Sequence, residues 1–173
     1  MLKLPSVFAL SLALAAGLAE PPAQAAGRLV AVLEAEIATL DPHFNAAYIS
    51  RTFSYMVFDT LFAMNAKGEI KPQMVQDWQV SEDRLTYSFT LRDGLKWHDG
   101  QPVTAADCVA SLRRWGARNA LGRRLMAATA SIEARDAKTF MLTLKEPFGL
   151  VIEALGHPVS PGAFMLPERL ART

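Results

Sequence analysis

The chain has 173 residues, half of them apolar and a fifth charged, which is ordinary globular composition. Eighteen Lys and Arg nearly cancel seventeen Asp and Glu, so the basic footprint of a nucleic-acid binder and an acidic tail are both excluded. A single cysteine, Cys108, excludes an internal disulfide, and its apolar neighbours suit a buried thiol.

The first residues form a three-part export signal. Lys3 supplies a short positive region, an apolar stretch runs from Val7 to Leu18, and Pro21, Pro22 and Ala23-Gln24-Ala25 follow. Residues 1–25 are therefore expected to be a signal peptide, with the mature chain starting at Ala26 or Gly27. The apolar run is short for a membrane span, and an N-terminal anchor helix is the alternative. The cleavage site carries no cysteine, which gives no support to a lipoprotein anchor. The expected location is the periplasm.

Leu29-Val30-Ala31-Val32-Leu33 is a continuous apolar run, and Arg28 to Glu34 is expected to be a strand buried on both faces. It ends at Leu40-Asp41-Pro42-His43, where Pro42 cannot continue a ladder and Asp41 can accept from nearby amides. Tyr48 to Phe62 is expected to be a helix, with Ile49, Phe53, Met56, Val57 and Leu61 on its apolar face. Asn65 to Gly68 makes a turn. Pro72 to Trp78 is expected to turn Met74, Val75 and Trp78 inward. Leu85 to Leu91 alternates strictly, with Leu85, Tyr87, Phe89 and Leu91 on one face and Thr86, Ser88 and Thr90 on the other. Asp93-Gly94 and Asp99-Gly100 are turn dipeptides.

Thr104-Ala-Ala-Asp107 marks a helix start by reciprocal capping. The helix carries Cys108, Val109, Leu112 and Trp115 on one side and Arg113 and Arg114 on the other. Gly116 to Gly122 is expected to break it, and Arg123 to Ala130 to form a second helix. Ser131 to Lys145 forms a hairpin, with Phe140, Leu142 and Leu144 alternating on its return strand. Pro147 opens a short helix through Leu155. His157 to Thr173 has little periodicity. The order describes a mixed α/β domain (α+β) with a small, largely antiparallel sheet, into which the first strand does not fit.

Several ordered segments together resemble the family 5 extracellular solute-binding proteins of ABC importers. They are Leu40-Asp-Pro-His43, Phe58-Asp-Thr-Leu61, Ile70-Lys-Pro72, Asp77-Trp78 with Val80-Ser-Glu-Asp83, Leu85-Thr-Tyr-Ser-Phe-Thr-Leu-Arg-Asp-Gly94, Lys96-Trp-His-Asp-Gly100 and Pro102-Val-Thr-Ala-Ala-Asp107. Cys108 departs from the family's usual Val. The resemblance implies a periplasmic-binding-protein-like, two-lobed fold. Residues 26–44 would hold the first strand of the larger lobe, 45–160 an extra mixed domain, and 161–173 the start of the return to the first lobe. It places much of the cleft, and the family's acidic anchor for a ligand ammonium, beyond Thr173. It also implies a monomeric receptor with two kinds of partner: a small peptide-like ligand and ABC permease subunits in the inner membrane. By resemblance, the ligand-binding residues in this chain are Asn45, Ala46, Ala47 and Tyr48. The loop leaves the end of a strand, where open α/β sheets place ligands, and Tyr48 offers an apolar face with a polar tip.

Enzymatic readings find little support. His98 and Asp99 are adjacent and would point to opposite faces of a strand, so Asp99-Gly100 is read as a turn. His43 is expected to stabilise a turn or face solvent. Three scattered histidines and one cysteine make no zinc pattern, and no nucleophile or phosphate-loop motif occurs. No catalytic residue, metal or cofactor is expected. Arg113, Arg114, Arg118, Arg123 and Arg124 are read as a solvated helix face. The alternatives to a transport receptor are an exported sensor or interaction protein on the same fold, an inert truncated fragment, and an exported hydrolase.

Overall fold

The computed structural model describes Val30, Val32 and residues 34–173. The expected signal peptide lies outside these residues, as does the expected first strand apart from Val30, Val32 and Glu34, none of which is in a strand. Leu33–Thr173 form one compact unit. Eleven elements follow one another within it: α1 Tyr48–Val57, β1 Phe62–Met64, β2 Ile70–Pro72, β3 Val75–Val80, β4 Thr86–Leu91, α2 Ala105–Arg118, α3 Ala120–Ala128, β5 Thr129–Ala134, β6 Thr139–Leu144, α4 Val151–Gly156 and α5 Glu168–Ala171.

Among the described residues all strand pairs are antiparallel. β1 and β2 form a small hairpin, and the main sheet has the order β3-β4-β6-β5. Hairpins need only short turns, and the chain supplies them. Gly68, Gly94 and Gly100 adopt φ of 78°, 76° and 81°, a region open to glycine at no steric cost. The Asp136 carboxylate accepts from the amides of Lys138 and Thr139, both at 2.8 Å, and so closes the β5–β6 turn.

Alternation in β4 and β6 sorts their side chains as expected. Tyr87, Phe89, Leu91, Phe140, Leu142 and Leu144 are buried, while the intervening Thr and Ser residues line a half-exposed face. Phe89 stacks on Phe140 with ring centres 5.0 Å apart and meets Phe62 edge-on at 5.9 Å. α2 covers this face with Cys108, Leu112 and Trp115. Met74 and Val75 turn inward as expected, but Trp78 does not. It lies on the edge strand β3, remains 38% exposed, and covers the rim of Phe62.

Several segments depart from expectation. α1 ends at Val57, because Phe58 is extended and the following residues pair outward, Thr60 bridging to Phe164. Its burial matches the expected face only in part. Ile49 and Phe53 are half-buried and Leu61, past the helix, is fully buried, but Met56 and Val57 are exposed, and Ser50 and Ser54 are the residues the helix buries. α2 does not break at Gly116. It continues to Arg118, and Asn119 makes the break by capping α3, which begins at Ala120 rather than Arg123. The two glycines instead let α2 and α3 touch, since a Cβ on Gly122 would lie 3.0 Å from the Gly116 Cα. α4 starts at Val151, four residues past Pro147. Finally, the aperiodic stretch 161–166 is buried throughout, with Phe164 and Met165 fully enclosed.

α2 is the hub for that last stretch. Trp115 Nε1 and Asn119 Nδ2 both donate to the Pro161 carbonyl, at 3.1 and 2.9 Å. Ser111 Oγ accepts from the Leu166 amide at 2.8 Å, and its one proton faces the Asp107 carbonyl at 2.7 Å and the Leu166 carbonyl at 3.0 Å. Asp107 completes the capping box with Thr104 and also accepts from the Glu168 amide at 2.7 Å. Backbone groups of an irregular buried segment must find partners, and α2 side chains supply them.

Candidate functional site

The loop Leu40–Ala47 and the first turn of α1 carry the residues singled out above. Asp41 begins it with local bonds. Its carboxylate accepts from the His43 amide at 2.9 Å, and its carbonyl accepts from the Phe44 amide at 3.2 Å. This is the turn that Asp-Pro favours. Asn45 then repeats the device, accepting from the Ala47 amide at 3.0 Å. The loop leads into α1 with Ala46, Ala47 and Tyr48 exposed and Asn45 half-buried. Tyr48 is 69% exposed, with the Arg51 guanidinium 4.8 Å from its ring centre. Phe44 is exposed beside them. The four residues are therefore contiguous and accessible, presented on one rim.

What seats this rim was not expected. The Asp41 carboxylate receives two bonds of 2.7 Å from Arg114 of α2, and Arg118 stands 3.7 Å away. Arg114 is thus not part of a solvated helix face, because its side chain is only 9% exposed. Arg113 is also engaged, donating to the Ile132 carbonyl at 2.7 Å. The reason is geometric: a planar guanidinium matches a carboxylate bidentately, and partial burial strengthens the pair. This pair holds the Asp41 pKa down at about 2, the Arg114 hydrogen bond being the largest cause. No sequence signal links two residues so far apart in the chain.

His43 takes part in the turn through its amide, but it does not face solvent. Its ring is fully buried, and among the described residues neither ring nitrogen completes a hydrogen bond. Burial pushes its pKa down to about 4, and Arg114 adds to the effect. Asp41 and the Phe164 backbone oppose this only in part. The ring is therefore neutral near pH 7.

The other candidate features resolve as structural. Asp99 accepts from the Gln101 amide at 3.0 Å and pairs with Arg169 at 3.1 Å, while Gly100 makes the turn and His98 is exposed. His157 is exposed as well. Cys108 is buried, and its thiol pKa is raised by burial, which leaves it unreactive. Among the described residues no group of three or more His, Cys, Asp or Glu could hold a metal ion. No helix among them is long and apolar enough to cross a membrane. A cleft of roughly 390 Å³ lies between the end of α1, the Trp97–Asp99 turn and α5, but Asn45–Tyr48 do not line it.

The described residues form a mixed α/β unit that presents an accessible loop, and comparison with known proteins gives its family. Residues 69–168 match the family model for bacterial extracellular solute-binding proteins, family 5. A probable peptide ABC transporter periplasmic-binding protein of Sinorhizobium fredii, y4tO, is 43% identical over 147 residues, covering 85% of this chain and 27% of the relative. The glutathione-binding protein GsiB of Salmonella typhi is 34% identical over 164 residues, covering 94% of this chain and 32% of the relative. Among solved structures, the PBP AgaA of A. tumefaciens R10, in complex with agropinic acid, superposes with a TM-score of 0.68 at 31% identity, over 80% of this chain and 28% of that one.

The chain belongs to the family 5 extracellular solute-binding proteins. It spans about a quarter to a third of the length of the curated relatives it matches.

Proposed function

We propose that the protein is the periplasmic substrate-binding component of an ABC importer, capturing a small peptide or peptide-like solute. The observation that carries this reading is the accessible run Asn45–Tyr48, whose loop is seated on α2 by the Asp41–Arg114 pair. Family membership supports it, since receptors of this kind bind and release without covalent chemistry. In this reading the backbone of Asn45–Ala47 pairs with the ligand's amides, and Tyr48 covers an apolar part of it. Closure of a second lobe over the rim presents the complex to the permease. Residues 1–25 direct export, 26–44 begin the larger lobe, 45–160 form the extra domain, and 161–173 lead back to the first lobe. No catalytic role and no cofactor is assigned, and the receptor acts as a monomer.

The test is thermal unfolding of the full gene product with and without a panel of dipeptides, longer peptides, glutathione, opines and metal chelates. A ligand at a hundred times its Kd stabilises by about 2.7 kcal/mol, a readily measured rise in Tm. Absence of a shift with every member of the panel overturns the proposal. Peptide hydrolysis abolished by substituting His43 or His98 would favour an exported hydrolase instead.

A further inference from the structure

The loop carrying Asn45–Tyr48 rests on a cluster with an unusual charge balance. Two guanidinium groups, Arg114 and Arg118 of α2, share the one Asp41 carboxylate. Arg114 spends its remaining Nε donor on the Thr173 carbonyl oxygen at 3.3 Å. Two residues after Asp41, the His43 ring is enclosed without completing a hydrogen bond among the described residues. The groups that act on it are Asp41 from its own loop, Arg114 and Arg118 from α2, and the uncharged Phe164 backbone from the buried stretch 161–166.

We propose that this cluster is an acid-sensitive latch: protonation of His43 unseats the Leu40–Ala47 loop from α2 and so weakens the hold of the rim on its ligand. The proposal rests on the ligand-binding role given above to Asn45–Tyr48. A proton on the enclosed ring creates a third cation where two already share a single anion. Among the described residues the ring completes no hydrogen bond, Asp41 and the Phe164 backbone offset the charge only in part, and burial denies it water. Turning the loop outward hydrates the ring and separates it from Arg114 and Arg118. On the far side of the loop a hydrogen bond among the described residues is long, 3.4 Å from Ser160 Oγ to the Ala47 carbonyl. The depressed pKa of His43, from 6.5 to about 4, sets where this begins. Loop opening is favoured progressively as pH falls below 6.5, and from pH 7.5 to 5 its equilibrium constant rises about thirtyfold.

The experiment is native-state hydrogen exchange on the full chain at pH 7.5 and 5, corrected for intrinsic rates, with no ligand added. A solute panel that fails to bind therefore leaves the result intact. The reporters are the His43 and Phe44 amides, both bonded to Asp41, compared with the sheet amides of Phe89 and Leu142. The expected result has two parts. The loop reporters are less protected than the sheet at both pH values, and their protection falls about thirtyfold in acid, a fall that His43→Gln removes. Because that variant could fold poorly, the His43 ring is also titrated by NMR in the unsubstituted chain, with an expected midpoint well below 6.5. A ring that titrates at its ordinary value overturns the latch. So does loop protection equal to that of the sheet, which would mean that the ring opens only with the whole domain. An unchanged acid response in His43→Gln overturns it as well.

Discussion

The Asp41 carboxylate and the Arg114 guanidinium face each other through two parallel hydrogen bonds of 2.7 Å, joining the loop before α1 to the middle of α2. Asp41→Asn leaves a nearly buried guanidinium without its anion, and a loss of about 2 kcal/mol in urea denaturation is expected. Arg114→Lys should lose a comparable amount, because an ammonium cannot span both oxygens. The double substitution should cost less than the sum of the two. Full additivity would show that the pair does not couple the loop to the helix.

Acid should destabilise the protein in two separate steps. His43 has its folded pKa lowered from 6.5 to about 4, so the unfolded chain binds the proton more readily. That contribution is complete above pH 6.5, is lost as pH falls to about 4, and amounts to roughly 3 kcal/mol. Asp41, lowered from 3.8 to about 2, contributes above pH 3.8 and is lost below it. Stability measured by denaturant between pH 7 and 3 should therefore fall first with His43. His43→Gln should flatten the upper step and leave the lower one.

Gly156 closes α4 against β1 and β2. A Cβ there would lie 2.5 Å from Ile70 Cγ2 and 2.9 Å from the Phe62 Cβ. Gly156→Ala should cost about 2 kcal/mol by overpacking. Gly149→Ala provides the control, since nothing lies within 4 Å of its Cβ position. Equal melting temperatures for the two variants would refute the packing assignment.

Asp107 serves four donors: the Thr104 amide at 2.8 Å, the Thr104 hydroxyl at 2.9 Å, Trp97 Nε1 at 3.3 Å and the Glu168 amide at 2.7 Å. Asp107→Ala removes the helix cap and strands several of these groups, and about 3 kcal/mol should be lost. The Trp97 fluorescence should change with it.

Elements whose cause is local were legible in the sequence. Strict alternation gave β4 and β6, Asp-Gly dipeptides gave the turns, and Thr104 with Asp107 gave the start of α2. The position of the candidate loop was legible too, through Asp41-Pro42. The seat of that loop was not, because its partner Arg114 lies 73 residues away. The same limit explains α1. Periodicity identified a helix but not that small Ser50 and Ser54 would be its buried residues, nor that Tyr55 would pack edge-on against the distant Phe164. Nor could composition reveal that the stretch 161–166 is buried, since side chains of α2 and its C-cap Asn119, from 42 to 55 residues earlier, supply its hydrogen bonds.

The hub position of α2 has a kinetic consequence. Its bonds to Asp41, Pro161, Leu166 and Glu168 close chain segments of 73, 46, 55 and 61 residues. The β5–β6 hairpin closes over a handful of residues, so its closure entropy is far smaller. Substitutions in the hairpin should therefore slow refolding. Substitutions at Asp41 or Arg114 should leave the refolding rate nearly unchanged and speed unfolding instead. On this kinetic ordering the rim proposed to hold the ligand is among the last parts of the domain to be secured and among the first to come loose.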